Sequence, residues 1–329
     1  TAFDFDKDPI RTKIVDGWVK AEGTTLGADD GIGMAAALAA LLDPALEHGP
    51  LEALFTVDEE TGLTGAFGLG KGMLTGRYLV NLDSEDEGEI FIGCAGGVDT
   101  LATFRYKTEA APEAHVFFRV RVSDLSGGHS GDDIDKGRMN SNKLVARLLW
   151  NGAQRFGLRL SRFDGGNLRN AIPREAFAVF GVPAETAGDV CERCRAFAVE
   201  IVEEFKYTEP NLQMTLNKIE GVEWVLDPVT MQSLVGALVG LPNGVLAMSH
   251  AVEGLVETSS NLASVKFGAE GIVVTTSQRS SVESAKRYAA QTVEAVLRLS
   301  GAEVIPAGRP IPIRTCCTSR SSVTSGFSP

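Results

Sequence analysis

Three groups of carboxylates stand where apolar segments give way to turns. Asp29 and Asp30 lie in T-L-G-A-D-D-G-I-G, directly before the run Ile32–Leu42. Glu59 and Glu60 follow Leu54-Phe55-Thr56-Val57 and belong to D-E-E-T-G-L-T-G-A. Asp83 follows Tyr78-Leu79-Val80 in N-L-D-S-E. In an α/β sheet, strand ends that share one edge form the crevice where ligands bind, so acids at three such ends can converge. Carboxylates held close together repel and raise one another's pKa values. A divalent cation relieves that repulsion, and such cations accept carboxylate oxygen as ligand. Any one of these acids could equally cap a helix or solvate a loop. Their position against three apolar segments is what sets the group apart.

A second grouping is S-G-G-H-S-G-D-D, which puts His129 between glycines, where backbone can approach a ligand closely. Asn170 and Arg174, in R-N-A-I-P-R-E, are candidates for binding a substrate's backbone or carboxylate, since a guanidinium matches a carboxylate with two parallel hydrogen bonds. Each could instead be a polar strand cap. Asn261 in E-T-S-S-N is a weaker candidate, and His48, between Pro44 and Pro50, reads as a surface loop residue. Cys191 and Cys194 share a helix face in C-E-R-C, and with no second pair they do not make a zinc site.

The elements that must position these groups follow from periodicity. Ile32 to Leu42 is a strong helix former, apolar all round, as befits a helix buried against a sheet. Leu51–Val57 and Tyr78–Leu82 read as buried strands, and the β-α-β alternation implies a mostly parallel sheet. Past Gly88 the character changes. His115–Val122 alternates in the manner of an antiparallel strand. Helices are predicted near 140–152, 187–205, 227–241 and 281–299. Strands are predicted near 158–163, 176–180, 212–219, 253–258, 272–277 and 302–306. Two successive α+β halves result.

The acidic motifs, together with the opening D-F-D-K-D-P-I, the G-C-A-G-G segment and S-G-G-H-S-G, occur in an order and spacing similar to those of a known clan. The chain resembles the co-catalytic zinc aminoacylase/carboxypeptidase clan, and within it the bacterial aminoacyl-histidine dipeptidases, a carnosinase-like family. The resemblance runs from about Asp4 to about Gly308. It implies an α/β catalytic domain with a mostly parallel sheet, incomplete here, over residues 1–96. It also implies an inserted α+β lid of two ferredoxin-like halves over 97–308, which carries the contacts of a homodimer. The implied activity is hydrolysis of Xaa-His and related dipeptides by water activated between two Zn2+ ions, with Co2+ or Mn2+ as alternatives. Asp29 would bridge the metals, with a cis peptide to Asp30; Glu60 and Asp83 would each ligate one, and Glu59 would be the general base. His129 would reach across the dimer to the substrate carbonyl or its oxyanion.

The sequence departs from the family at both ends. The family has a histidine ligand upstream of the first acidic motif and another near its C-terminus; neither has a counterpart at a matching position here. The chain is therefore expected to be truncated, with weak or partial metal occupancy and very low turnover. Residues 309–329 show no periodicity, carry adjacent cysteines and many serines, and are expected to be disordered, as a shifted reading frame would produce. Two other readings stand beside the dipeptidase: another peptidase or N-acyl amino acid deacylase of the clan, and a non-catalytic binding protein on the same scaffold.

Bulk properties limit the partners. At 329 residues there is room for two domains. A net charge of −12 without a basic run argues against nucleic acid and anionic membrane surfaces. No apolar run approaches the ~20 residues of a membrane span. Five cysteines, an odd number, point to a reducing, cytoplasmic setting, and no signal peptide is read at the start. G-A-D-D-G-I-G lacks the spacing of a dinucleotide-binding loop.

Overall fold

The computed structural model describes residues 3–24, 26, 29–59, 63–83, 89–90, 95–307 and 321–322. It divides into two compact units, Thr1–Phe91 with Arg320–Pro329, and Ile92–Ser319.

In the first unit, β1 (Thr12–Val15) and β2 (Trp18–Ala21) form an antiparallel hairpin. Its turn is Asp16-Gly17, both at positive φ, the geometry that matches the right-handed twist of the flanking strands. Helix α1 (Gly31–Leu42) starts at Asp30, whose carboxylate accepts from the Gly33 amide at 2.9 Å. Helix α2 (Thr64–Phe67) is a single turn entered from Leu63 in the left-handed region. Glu52 accepts from the Thr75 amide and hydroxyl and from the Gly76 amide, which fixes that turn. β3 (Glu89–Ile90) pairs antiparallel with Ser321–Ser322.

Two expectations for this unit are not met among the described residues. Leu51–Val57 and Tyr78–Leu82 carry no ladder; a strand exists through its neighbour's hydrogen bonds, and neither segment has such a neighbour among the described residues. Helix α1 buries only Gly33, and Ile32 and Leu42 remain 80% and 77% exposed. Among the described residues no sheet covers its all-round apolar surface.

The second unit is built on one antiparallel sheet. In chain order come β4 (Gly96–Phe104), β5 (Thr108–Ala110), β6 (His115–Ser123), β7 (Gly128–His129), α3 (Ser141–Arg155), β8 (Arg159–Gly165), β9 (Ala171–Ile172) and β10 (Ala176–Pro183). There follow α4 (Ala187–Phe205), β11 (Gln213–Ile219), β12 (Trp224–Leu226), α5 (Pro228–Gly240), β13 (Gly244–Met248), β14 (Val256–Gly268), β15 (Gly271–Ser280), α6 (Glu283–Leu299) and β16 (Glu303–Ala307). The sheet order is β11-β6-β10-β8-β14-β15-β4-β16, with β13 added to β14. Both halves follow β-α-β-β-α-β with the same spatial order. The halves are nested and not successive: the complete first half, β6 to β11, is inserted between β4 and the rest of the second. They meet edge to edge where Gly165 of β8 faces Val265 of β14.

The core lies between this sheet and the helices. Phe118, Val120 and Val122 of β6 and Ala178, Phe180 and Val182 of β10 pack with Leu144 and Leu148 of α3 and with Val190, Cys194 and Phe197 of α4. The alternation in β6 sends Arg119 and Arg121 to the opposite, exposed face. Burial pushes the Cys194 thiol up to about 11, which keeps it a packing group and not a nucleophile. The Lys143 ammonium, lowered to about 8 by burial, donates to the carbonyls of Leu238, Val239 and Leu241 and so closes the C-terminal end of α5. The sequence T-S-S-N in β14 reads too polar for a buried strand. Cross-strand bonds resolve this: Thr258 meets the Ser280 hydroxyl, and Gln278 joins Ser260 and Thr100. β14 thus extends well beyond the expected 253–258.

Candidate active site

The chemistry-bearing residues fall into one cluster in each unit. In the first, Asp29, Asp30 and Asp83 each offer a carboxylate oxygen, all within 4.8 Å of one another. Asp29 and Asp30 meet at the entrance to α1, and the peptide bond between them is cis. The Asp83 carboxyl is pushed up to about 6. The largest cause is partial desolvation of the group, although the residue as a whole is exposed. A hydrogen bond to Asp29 and the charges of Asp29, Asp30 and Glu59 add to it. Like charges crowded without a counterion produce this signature.

The donor set fits a divalent cation. It consists of hard oxygen donors, it is mutually repulsive, and a cation among the three carboxylates would offset the like-charge part of the Asp83 shift. Oxygen donors alone do not select zinc, which favours nitrogen and sulfur as well.

Sequence reasoning named Asp29 and Asp83, and the structure brings them together. It placed Asp30 in the motif without giving it a role. The structure puts Asp30 in the cluster, with one of its oxygens already engaged as the cap of α1. The signal was the D-D-G pattern before a helical run, where one acid caps and the other is left over. Glu59 lies close enough to act on Asp83 through its charge. Glu60 lies outside the described residues, as do Gly27, Ala28, Gly93 and Cys94 of the family-like motifs and most of the tail.

In the second unit, His129 sits on β7, paired to Ala171 of β9. Its Nδ1 is 2.8 Å from an oxygen of Asp132. The adjoining glycines are needed for a reason the sequence did not disclose. A Cβ on Gly127, at φ +63, would overlap the Cγ of Arg174, and one on Gly128, at φ +130, would overlap Asp133 and Arg138. The close approach is to this chain's own side chains. Arg174 donates from Nε to the Leu125 carbonyl at 2.9 Å, so part of its guanidinium is spent on the loop. Asn170 accepts the Ser130 amide at 2.7 Å through its main-chain carbonyl. Asn261 is buried and donates to the Ala171 carbonyl, holding β9 against β14.

Sequence reasoning passed over Arg279. Its Nη1 lies 2.8 Å from where a Cβ of Gly131 would stand, beside the His129 ring. Its only sequence signal was a cation in the otherwise neutral strand T-T-S-Q-R-S-S.

No protein-family model matches the chain. Among curated proteins it is 41% identical over 303 residues to the cytosol non-specific dipeptidase of Escherichia coli (strain K12), covering 92% of this chain and 62% of that protein. It is 31% identical over 171 residues to the uncharacterized protein YqjE of Bacillus subtilis (strain 168), covering 50% of this chain and 41% of that protein. Among solved structures, the aminoacylhistidine dipeptidase of Vibrio alginolyticus superposes with a TM-score of 0.76 at 42% identity, covering 94% of this chain and 63% of that one. The chain therefore spans about three fifths of the length of the two dipeptidases it matches. The resemblance to aminoacyl-histidine dipeptidases holds over nine tenths of this chain.

Proposed function

We propose that this chain carries the machinery of a metal-dependent dipeptidase that hydrolyses Xaa-His and related dipeptides. The observation that carries the reading is the convergence of Asp29, Asp30 and Asp83, with Glu59 within electrostatic reach, in a chain similar to two proteins named dipeptidases. Asp29 and Asp83, with Glu60, would hold the cation or cations. Two Zn2+ ions are the proposal, with Mn2+ and Co2+ as alternatives because carboxylates suit them as well. A divalent cation so held would supply polarisation of the scissile carbonyl and a more acidic neighbouring water. Glu59 takes a proton from the attacking water and delivers it to the leaving amine as the C–N bond breaks. His129, reaching across the proposed dimer, would donate a hydrogen bond to the carbonyl oxygen as negative charge develops there. Asn170 and Arg174 remain proposed contacts for the substrate backbone or carboxylate.

We assign the first unit to catalysis and the second to a lid that also dimerises the protein. A cytoplasmic location is proposed, supported by the name of the E. coli relative. No helix among the described residues is long and apolar enough to cross a membrane.

The test measures bound zinc and manganese per chain, and β-alanyl-histidine hydrolysis on the same sample. Metal uptake that falls at least tenfold in affinity in Asp29→Asn and Asp83→Asn, with turnover abolished in Glu59→Gln, supports the reading. Uptake unchanged in both Asn variants overturns the metal assignment.

A further inference from the structure

The loop that carries His129, residues 126 to 139, is braced at its base and its tip by two carboxylates. At the base, Glu209, 3% exposed, accepts from the Ser126 amide at 2.6 Å and from the Met139 amide at 2.8 Å. One side chain thus holds both ends of the loop. At the tip, Asp133 Oδ2 accepts from the His129 amide at 2.8 Å, and the Asp133 amide donates back to the His129 carbonyl at 3.0 Å. Arg138 Nη1 lies 3.1 Å from the same carboxylate and donates to the Gly127 carbonyl at 2.7 Å. Lys136 Nζ lies 2.6 Å from Asp133 Oδ1. Gly128 has no side chain at the point where Asp133 and Arg138 cross the backbone.

We infer that Asp133 is the positioning residue of His129, with Arg138 as its counter-charge and Glu209 as the anchor of the loop. The inference rests on the role given to His129 above, but its geometry does not. A histidine in a glycine-rich loop has freedom in both main chain and side chain, and a donor to a developing oxyanion is useful only when its position is set beforehand. Asp133 removes the main-chain part of that freedom by holding the His129 amide, and Arg138 fixes the residue two before it. Charge-assisted hydrogen bonds in a half-buried setting are strong enough to do this. Asp133 does not meet substrate on this account and acts only through His129.

The experiment compares Asp133→Asn and Glu209→Gln with the unaltered chain by amide hydrogen exchange. In Asp133→Asn, protection at the His129 amide is expected to drop by roughly 10- to 100-fold, the effect of losing a charge-assisted bond, while α4 amides keep theirs. In Glu209→Gln, the loss is expected at Ser126 and Met139. Unchanged protection at His129 in Asp133→Asn overturns the inference. Where turnover of β-alanyl-histidine is measured, Asp133→Asn is expected to lower kcat with KM unchanged, and Asp133→Glu to restore part of it. Loss of turnover in His129→Ala but not in Asp133→Asn overturns the clamp alone. Full turnover in His129→Ala overturns the reading of His129.

Discussion

Asp133 shows how one side chain couples solution conditions to a functional loop. The hydrogen-bonded pair with Lys136 is the largest effect holding its carboxyl below the ordinary range. Partial burial works against it, and the His129 amide and Arg138 reinforce it. A carboxyl with a lower pKa in the folded state binds its proton more readily in the unfolded chain. Its contribution is therefore fully present above the unfolded pKa, about 4, and is lost as pH falls through the folded value. Protection of the His129 amide, corrected for intrinsic exchange, should stay level from about pH 7 to 5 and decline below about pH 4. Protection in α4 should not follow it over that interval. A decline that begins near neutrality would mean that another group holds the loop. Asp83 works in the opposite sense: partial desolvation first, and the neighbouring acids Asp29, Asp30 and Glu59 after it, raise its pKa.

At the scale of elements, the seam between the two halves depends on two glycines. Gly165 faces Val265 across the seam, and a Cβ there would collide with Asn142 and Ala176. Gly166, at φ +70, leaves no room between itself and the Ala263 carbonyl. Gly166→Ala adds left-handed strain to a steric clash that only backbone movement can relieve, and should destabilise the second unit by about 3 kcal/mol. Urea denaturation followed by the fluorescence of Trp150 and Trp224 measures it; a change below about 0.5 kcal/mol would show that the seam is not a constraint. The helices of the second unit were legible in the sequence. Val190, Cys194, Phe197 and Ile201 recur at helical spacing and face the core, so α4 occupies the residues expected of it. The nesting of the halves was not legible, because it depends on β4 pairing with β15 and β16, which lie far along the chain, and local pattern carries no such information. By composition the Gly-Gly-His motif is a place where a ligand can approach the backbone. Composition cannot distinguish that from the approach of Arg174, Asp133 and Arg138. Asp29 and Asp83 were found because each stands at the end of an apolar run, a signal that does not require the strands themselves to form.

At the scale of the whole chain, the two units differ in how much apolar surface they bury. The second has a continuous core in which side chains such as Phe163, Phe180, Leu149 and Ile201 are fully enclosed. In the first, Trp18, Leu42, Tyr78, Leu79 and Val80 are each at least 70% exposed. Burial of apolar area is the main favourable contribution to folding, about 25 cal/mol per Å2, so the first unit has much less to set against its conformational entropy. Local opening should therefore concentrate there. Limited trypsin digestion is expected to cut first at sites such as Lys20, Lys71 and Arg77 and to leave a resistant product close to residues 95–307. Manganese or zinc should slow those cuts, because a ligand that binds only the folded form stabilises it by mass action. Asp83→Asn should remove that protection while leaving cleavage of the second unit unchanged. Equal cleavage rates in both units would show that the exposed apolar surface of the first does not weaken it. Protection that persists in Asp83→Asn would place the cation elsewhere.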